Sequence, residues 1–157
     1  MKCSHILGVV AINCIVMMQM TLLAAILPLE VKRRHISQTI TGVIMSAFCF
    51  FVPAFTVEKL FPKLGRRGSV QTGTLLLSVT VLIYGLEYYI PDDQRFLFSA
   101  TSILARFFEG VGCAIARTSI ASLINKLYPE ELGLASQARV LGVISGFSLG
   151  VILGSAL

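Results

Sequence analysis

The chain has 157 residues, of which 55% are hydrophobic and 13% charged, and its mean hydropathy is +0.84. Soluble domains carry roughly 25% charged residues, so this composition excludes an ordinary soluble domain, and it equally excludes a disordered or collagen-like chain. The formal net charge of +5 lies mostly between apolar stretches. Without a basic and aromatic stripe, it gives no indication of nucleic-acid binding.

Apolar stretches in chain order predict an all-α integral membrane protein with five transmembrane helices, because about 20 apolar residues cross the hydrocarbon core of a bilayer. The first stretch is longer than the apolar region of a signal peptide, so we interpret it as a retained helix. The connections between the stretches are too short to hold a folded soluble domain. The predicted spans are 6–29, 36–57, 68–90, 96–124 and 140–157.

The distribution of Lys and Arg predicts a cytoplasmic N-terminus. The connections on the N-terminal side of the predicted bundle carry more basic residues than those on the opposite side, as the positive-inside rule requires. The run Lys32-Arg33-Arg34 opposes this assignment, because it falls on the other side.

The sequence carries no recognisable catalytic, cofactor or metal site. The 4 cysteines have neither metal-binding nor Cys-x-x-Cys spacing, and we interpret them as free, small apolar residues. A Gly-rich phosphate loop, a nucleophile elbow and a pair of spaced carboxylates are all absent from the sequence. We therefore predict that the chain is not an enzyme and needs neither cofactor nor metal.

The fourth predicted span contains charges inside the membrane. At 100° per residue, Glu109, Cys113 and Arg117 lie on the same side of the helix as Arg106. Arg106 lies about 15 Å into the span, where a lone charge costs from about 2.5 to more than 10 kcal/mol. Arg106 should therefore face a bundle interior and pair with Glu109, three residues on. Two interpretations stay open: a structural ion pair, or part of a substrate or proton path.

The fifth predicted span has a glycine at every fourth position. Small residues at this spacing form a ridge that lets another helix approach closely. Close packing alone explains the pattern, and a seal between two halves of a transporter is the alternative. The four positions are Gly142, Gly146, Gly150 and Gly154.

The order of these features resembles the major facilitator superfamily. The segment 60–67, Leu-Phe-Pro-Lys-Leu-Gly-Arg-Arg, resembles motif A between spans two and three, although Glu58 and Pro62 depart from it. The segment 106–114 is similar to motif B of the fourth span, and 142–154 resembles antiporter motif C, with Ser155 where Pro usually follows. Segments 27–31 and 127–129 resemble the corresponding segments of the vesicular amine transporter group. Within that group, the resemblance is greatest to the polyamine-type member.

This resemblance implies a proton-coupled antiporter of an organic cation such as an amine or polyamine, built from two six-helix halves in a vesicle, endomembrane or plasma membrane. The chain would be a partial N-terminal transmembrane bundle over 1–157, an incomplete six-helix half, and activity would need the missing C-terminal half. The implied roles are proton coupling for Arg106 and Glu109, an antiporter seal for the four glycines, and a cytoplasmic latch for Lys63, Gly65, Arg66 and Arg67. Asn13 and Gln19, polar residues of the first span, are candidates for the substrate path.

Two other classes of function remain open. The chain can be a short membrane protein that does not transport but packs against a partner transporter or assembly. A receptor or channel fragment is the weakest alternative, because no acidic ring or filter segment is visible in the sequence.

Overall fold

The computed structural model describes residues 3–50 and 54–156, and all regular secondary structure in those residues is helical. This confirms the predicted all-α fold. The elements are helix α1 (Cys3–Arg33), α2 (Gln38–Phe50), α3 (Ala54–Glu87), α4 (Arg95–Leu127), a short 3₁₀ helix (Pro129–Glu131) and α5 (Leu132–Ala156).

Four helices of the described residues are long and apolar enough to cross a membrane. Their candidate spans are Ile6–Arg33, Arg67–Glu87, Arg95–Lys126 and Pro129–Ala156. The apolar stretch Gln38–Phe48 is shorter, and the predicted second span at 36–57 includes residues 51–53, which lie outside the described part. Large apolar side chains such as Leu82, Phe147 and Ile152 are exposed on these helices, as expected for surfaces that face lipid.

Helices α1 and α4 extend beyond both ends of their predicted spans, and α3 and α5 begin earlier than predicted, because an uncharged run marks only the part that lies in hydrocarbon. Helix α1 continues through Pro28 to Arg33, and α5 begins at Leu132, before the charge of Arg139. Helix α3 includes the segment predicted as a loop and is interrupted at Gly65, whose φ of 67° and ψ of 172° are not helical. A positive φ combined with a ψ near 180° is adopted essentially by glycine alone, so Gly65 marks the interruption of the helix.

The chain divides into two compact units, one formed by Met1–Leu27 with Ile120–Leu157 and the other by Pro28–Ser119. In the first unit, α5 packs against α1 through its glycines. A Cβ atom built on Gly142 would lie 2.5 Å from the carbonyl oxygen of Val10, and one built on Gly146 would collide with the carbonyl of Cys14. Gly150 and Gly154 approach the same helix. We call this contact the glycine seam.

In the second unit, glycines bring α2, α3 and α4 together. A Cβ on Gly73 would lie 2.7 Å from the backbone nitrogen of Ala116, and one on Gly112 would lie 3.2 Å from the carbonyl oxygen of Gly73. A Cβ on Gly110 would collide with the backbone carbonyl oxygen of Phe48 in α2. The backbones of α3 and α4 therefore nearly touch, so side chains on either side of this contact can meet.

We expect Gly146→Ala to lower the free energy of unfolding by about 1–3 kcal/mol, the usual cost of an added methyl group in a closely packed site. Gly133→Ala is the matched control on the same helix, because a Cβ at Gly133 meets nothing within 4 Å. Unfolding in mixed detergent micelles, followed by circular dichroism, measures both effects. Equal stability of the two variants would contradict the glycine seam.

Candidate functional site

Arg106 and Glu109 form a buried ion pair on one face of α4. The guanidinium Nη1 of Arg106 lies 3.0 Å from Oε2 of Glu109, and the two side chains are 3% and 0% exposed. The spacing of three residues places both groups on adjacent turns. The structure therefore brings together the two residues that the sequence singles out for proton coupling.

This pair leaves several polar atoms unsatisfied. Within the described part of the chain, Nε and Nη2 of Arg106 and Oε1 of Glu109 are buried without a hydrogen-bond partner. The ring of Tyr84, on α3, lies 5.7 Å from the guanidinium carbon of Arg106 and supplies a cation–π contact. Most buried polar atoms in proteins have partners, so these open positions can take a water molecule, a proton or a ligand group.

A third buried acid lies further along the α3–α4 contact. Glu87 ends α3 and is 5% exposed, and its Oε2 accepts a 2.9 Å hydrogen bond from the hydroxyl of Ser102. The hydroxyl of Tyr84 donates to the carbonyl oxygen of Ser102 at 3.5 Å. Tyr84 therefore contacts both Ser102 and Arg106. We call Tyr84, Glu87, Ser102, Arg106 and Glu109 the α3–α4 polar cluster.

Arg34, just after α1, has an acceptor for each guanidinium nitrogen, supplied by Glu30 of α1, by the end of α3 and by the turn that follows α3. Its Nη1 donates to the carbonyl oxygen of Ile90 at 2.9 Å and its Nη2 to that of Glu87 at 3.4 Å. Its Nε donates to Oε1 of Glu30 at 3.1 Å, and its guanidinium carbon lies 4.4 Å from the ring centroid of Phe98. The last carbonyls of a helix lack partners within the helix, and a cation is favoured there. Arg34 therefore caps α3.

Sequence reasoning missed Arg34, Tyr84 and Glu87 as site residues. Arg34 was predicted to be a loop charge, yet its side chain is 0% exposed. A signal for the other two is present, because Glu87 is an acid at the end of an otherwise apolar run and Tyr84 lies three residues before it, on the same helix face.

The predicted site residues of the first span lie in or near the glycine seam. Asn13 is buried, donates to the carbonyl oxygen of Val9 at 2.8 Å and lies against Gly142. Gln19 is half-buried. Thr21 is a further polar residue that the sequence reading missed, and its hydroxyl contacts Gly150. The seam thus consists of the predicted glycines together with polar residues of α1.

The predicted latch residues lie at the kink of α3. Gly65 adopts its positive φ there, and Arg67 is exposed. The side chains of Lys63 and Arg66 lie outside the described residues. The described residues contain no group of three or more His, Cys, Asp or Glu side chains that could hold a metal ion.

The Major Facilitator Superfamily profile matches residues 9–157. Together with the helical fold and the apolar spans, this match shows that the chain belongs to the Major Facilitator Superfamily. It is therefore an integral, multi-pass membrane protein of a transporter family.

Among curated proteins, the chain is similar to the human "MFS-type transporter SLC18B1", with 26% identity over 152 residues. These residues make up 95% of this chain and 32% of the human protein. The mouse protein of the same name is 24% identical over 144 residues, which are 90% of this chain and 30% of the relative. The chain thus spans about a third of the length of these relatives. No solved structure matches it.

We expect Arg106→Ala to destabilise the protein by about 3–5 kcal/mol, because it leaves the buried charge of Glu109 without its partner. The double variant Arg106→Ala/Glu109→Ala removes both charges and should recover at least half of that loss. Thermal unfolding in lipid nanodiscs measures the single variants and the double variant. Additive losses would show that the two side chains do not interact.

We also expect Arg34→Gln to loosen the turn between α3 and α4. Hydrogen bonds to charged groups contribute about 1.5–3 kcal/mol, so amide exchange over residues 88–94 should accelerate by roughly tenfold to a hundredfold. Lys32→Gln is the control, because Lys32 is an exposed cation two residues before Arg34. Hydrogen-exchange mass spectrometry distinguishes the two variants, and equal protection would contradict the capping role.

Proposed function

We propose that the transporter to which this chain belongs exchanges an organic cation, such as an amine or a polyamine, for protons. The observation that carries this proposal is the buried Arg106–Glu109 pair, whose remaining polar atoms have no partner in the described residues. Intramembrane ionisable residues are costly and commonly belong to substrate or proton paths. The similarity to proteins named as MFS-type transporters supports the same conclusion.

The chemistry of the pair suits proton coupling. A proton added to Glu109 removes its negative charge and replaces the charge-assisted hydrogen bond to Arg106 by a weaker one. Arg106 is then released to seek another acceptor, and its ring contact with Tyr84 keeps it within the apolar site. Proton binding can thereby bias the equilibrium between two arrangements of the helices, which is the requirement for coupling.

The remaining proposed roles follow from the resemblance. The rest of the protein would supply the second half of the substrate path, and the two halves would rock about it. The glycine seam would act as the antiporter seal, and Lys63, Gly65, Arg66 and Arg67 as the cytoplasmic latch. We propose a cytoplasmic N-terminus and a location in a vesicle, endomembrane or plasma membrane.

A second candidate function is helix packing without transport. The observation in its favour is the glycine seam, which brings backbones into contact and needs no substrate. In this case the chain would associate with a partner transporter or assembly. Radiotracer uptake separates the two candidates.

The test uses the complete protein reconstituted into proteoliposomes with an acidic interior. Radiolabelled spermidine and tyramine serve as probes, and radiolabelled mannitol is the uncharged control. We expect uptake of at least one amine to depend on the pH gradient and to collapse when a protonophore dissipates it. Gradient-independent uptake, or none for either amine, rejects the proposed antiport.

We expect Arg106→Ala to abolish gradient-driven uptake because it removes the cation that Glu109 holds. Since this variant also loses stability, the charge-balanced Arg106→Ala/Glu109→Ala protein is measured beside it and should be equally inactive. Arg95→Ala is the matched control, because Arg95 is an exposed arginine on the same helix. Wild-type uptake by the double variant counts against a role of the pair in coupling.

A further inference from the structure

Glu87 is the one titratable member of the α3–α4 polar cluster that the proposed coupling does not use. It is 5% exposed, and within the described residues its Oε1 has no hydrogen-bond partner. Its Oε2 accepts a hydrogen bond from the hydroxyl of Ser102. A buried carboxylate whose hydrogen bonds come from neutral hydroxyls is poorly compensated for the loss of water.

The charges around Glu87 do not balance. Arg33 and Arg34 share the carboxylates of Glu30 and Asp92 at 3.1–3.7 Å, and Arg106 is held by Glu109 at 3.0 Å. Each of these two groups is neutral in sum, and Glu87 adds a negative charge that neither of them matches. One bound proton or one ligand cation restores neutrality.

Polar and charged groups of α4, of the segment after α1 and of α3 itself surround Glu87. The Nη2 of Arg34 lies 3.4 Å from the backbone carbonyl oxygen of Glu87. Ser102, which donates to the Glu87 carboxylate, lies four residues before Arg106 and therefore on the same face of α4. Tyr84 precedes it on α3 and interacts with both Glu87 and Glu109. Thr101 lies near on α4, but its hydroxyl hydrogen is shared between the carbonyl oxygens of Leu97 and Phe98, at 2.9 and 3.0 Å.

Glu87 is also close to water. It ends α3 directly before the turn to α4, where Tyr88 and Tyr89 are 69% and 80% exposed. Arg34, at the α1–α2 connection, contacts carbonyls of this turn, so the two connections lie at the same end of the unit Pro28–Ser119. With the proposed cytoplasmic N-terminus, this is the non-cytoplasmic end, where an acidic compartment would supply protons.

The geometry points to Glu87 as a second proton-binding residue, which takes its proton from water at the α3–α4 turn. The charge on Glu87 then controls how Arg106 is shared between Glu87 and Glu109. The step is the addition of one proton from water to the carboxylate, giving a neutral carboxylic acid. While Glu87 is charged, it attracts Arg106 away from Glu109. Once Glu87 is neutral, Glu109 alone holds the arginine.

This inference rests on the proposed function, since it gives the proton its entry to the Arg106–Glu109 pair. Glu87 acts through Arg106, so we treat it as a positioning residue. Its effect must therefore appear in proton coupling, whereas the exchange of substrate without net proton transfer should be spared.

The first experiment detects the proton directly. Infrared difference spectra between acidic and alkaline pH are recorded on the complete protein in lipid nanodiscs. We expect a carboxyl C=O band that disappears in Glu87→Gln and shifts in Ser102→Ala. The band should persist in the control Asp92→Asn, which removes a 60% exposed acid from the neighbouring turn. A spectrum that Glu87→Gln leaves unchanged overturns the inference, as does a Glu87 band that responds to spermidine but not to pH.

The second experiment separates coupling from structure. Proteoliposomes are assayed for spermidine uptake driven by the pH gradient, and for counterflow of spermidine without a gradient. We expect Glu87→Gln to reduce gradient-driven uptake by about tenfold, within the usual range of coupling between two sites, while counterflow stays close to the wild-type rate. Glu87→Asp, which keeps a carboxyl group, should restore part of the uptake.

The outcomes distinguish this inference from the proposed function. Equal losses in uptake and counterflow show a merely structural role for Glu87, and unchanged uptake shows no role in coupling. If the wild-type protein itself lacks gradient-driven uptake, the proposed function fails, and the infrared band alone then decides whether Glu87 binds a proton.

Discussion

A charge that has left water must find a partner inside the protein, and this constraint shapes the unit formed by Pro28–Ser119. Helix α4 carries Arg106 and Glu109 in the middle of an apolar sequence, so its polar face has to turn away from lipid and against α3. The glycine contact at Gly73 and Gly112 brings the two backbones close enough for Tyr84 to reach Arg106. Packing and charge pairing therefore require the same helix orientation.

The glycine seam of the other unit has a different physical basis. Lipid tails are as apolar as leucine, so two helices in a membrane gain little from hiding apolar side chains from each other. The attraction between the two helices therefore comes from van der Waals contact between their backbones, and larger side chains would prevent that contact. Glycines at every fourth residue of α5 meet the carbonyls of α1 directly. The same four residues in a water-soluble helix would weaken it by about 1 kcal/mol each.

The sequence was sufficient for features that depend on one helix at a time. The all-α fold, the stripe of α4 and the glycine ridge follow from hydropathy and helical period, and the Arg106–Glu109 pair joins residues three apart. Contacts between helices could not be predicted from the sequence, because its periodicity does not indicate which side chain of α3 faces Ser102. Arg34 shows this best, since only the folded chain places it among the carbonyl groups that follow α3.

Arg34 and Arg106 provide an internal comparison that separates structural from functional charge. Both are buried, both interact with a glutamate on their own helix or its end, and both contact an aromatic ring. In the described residues every guanidinium nitrogen of Arg34 has an acceptor, whereas Nε and Nη2 of Arg106 have none. A fully paired cation is fixed in place, since moving it breaks several charge-assisted hydrogen bonds at once. An arginine with one strong partner can exchange that partner for another, so the incomplete pairing that makes Arg106 costly also leaves it free to respond to a proton.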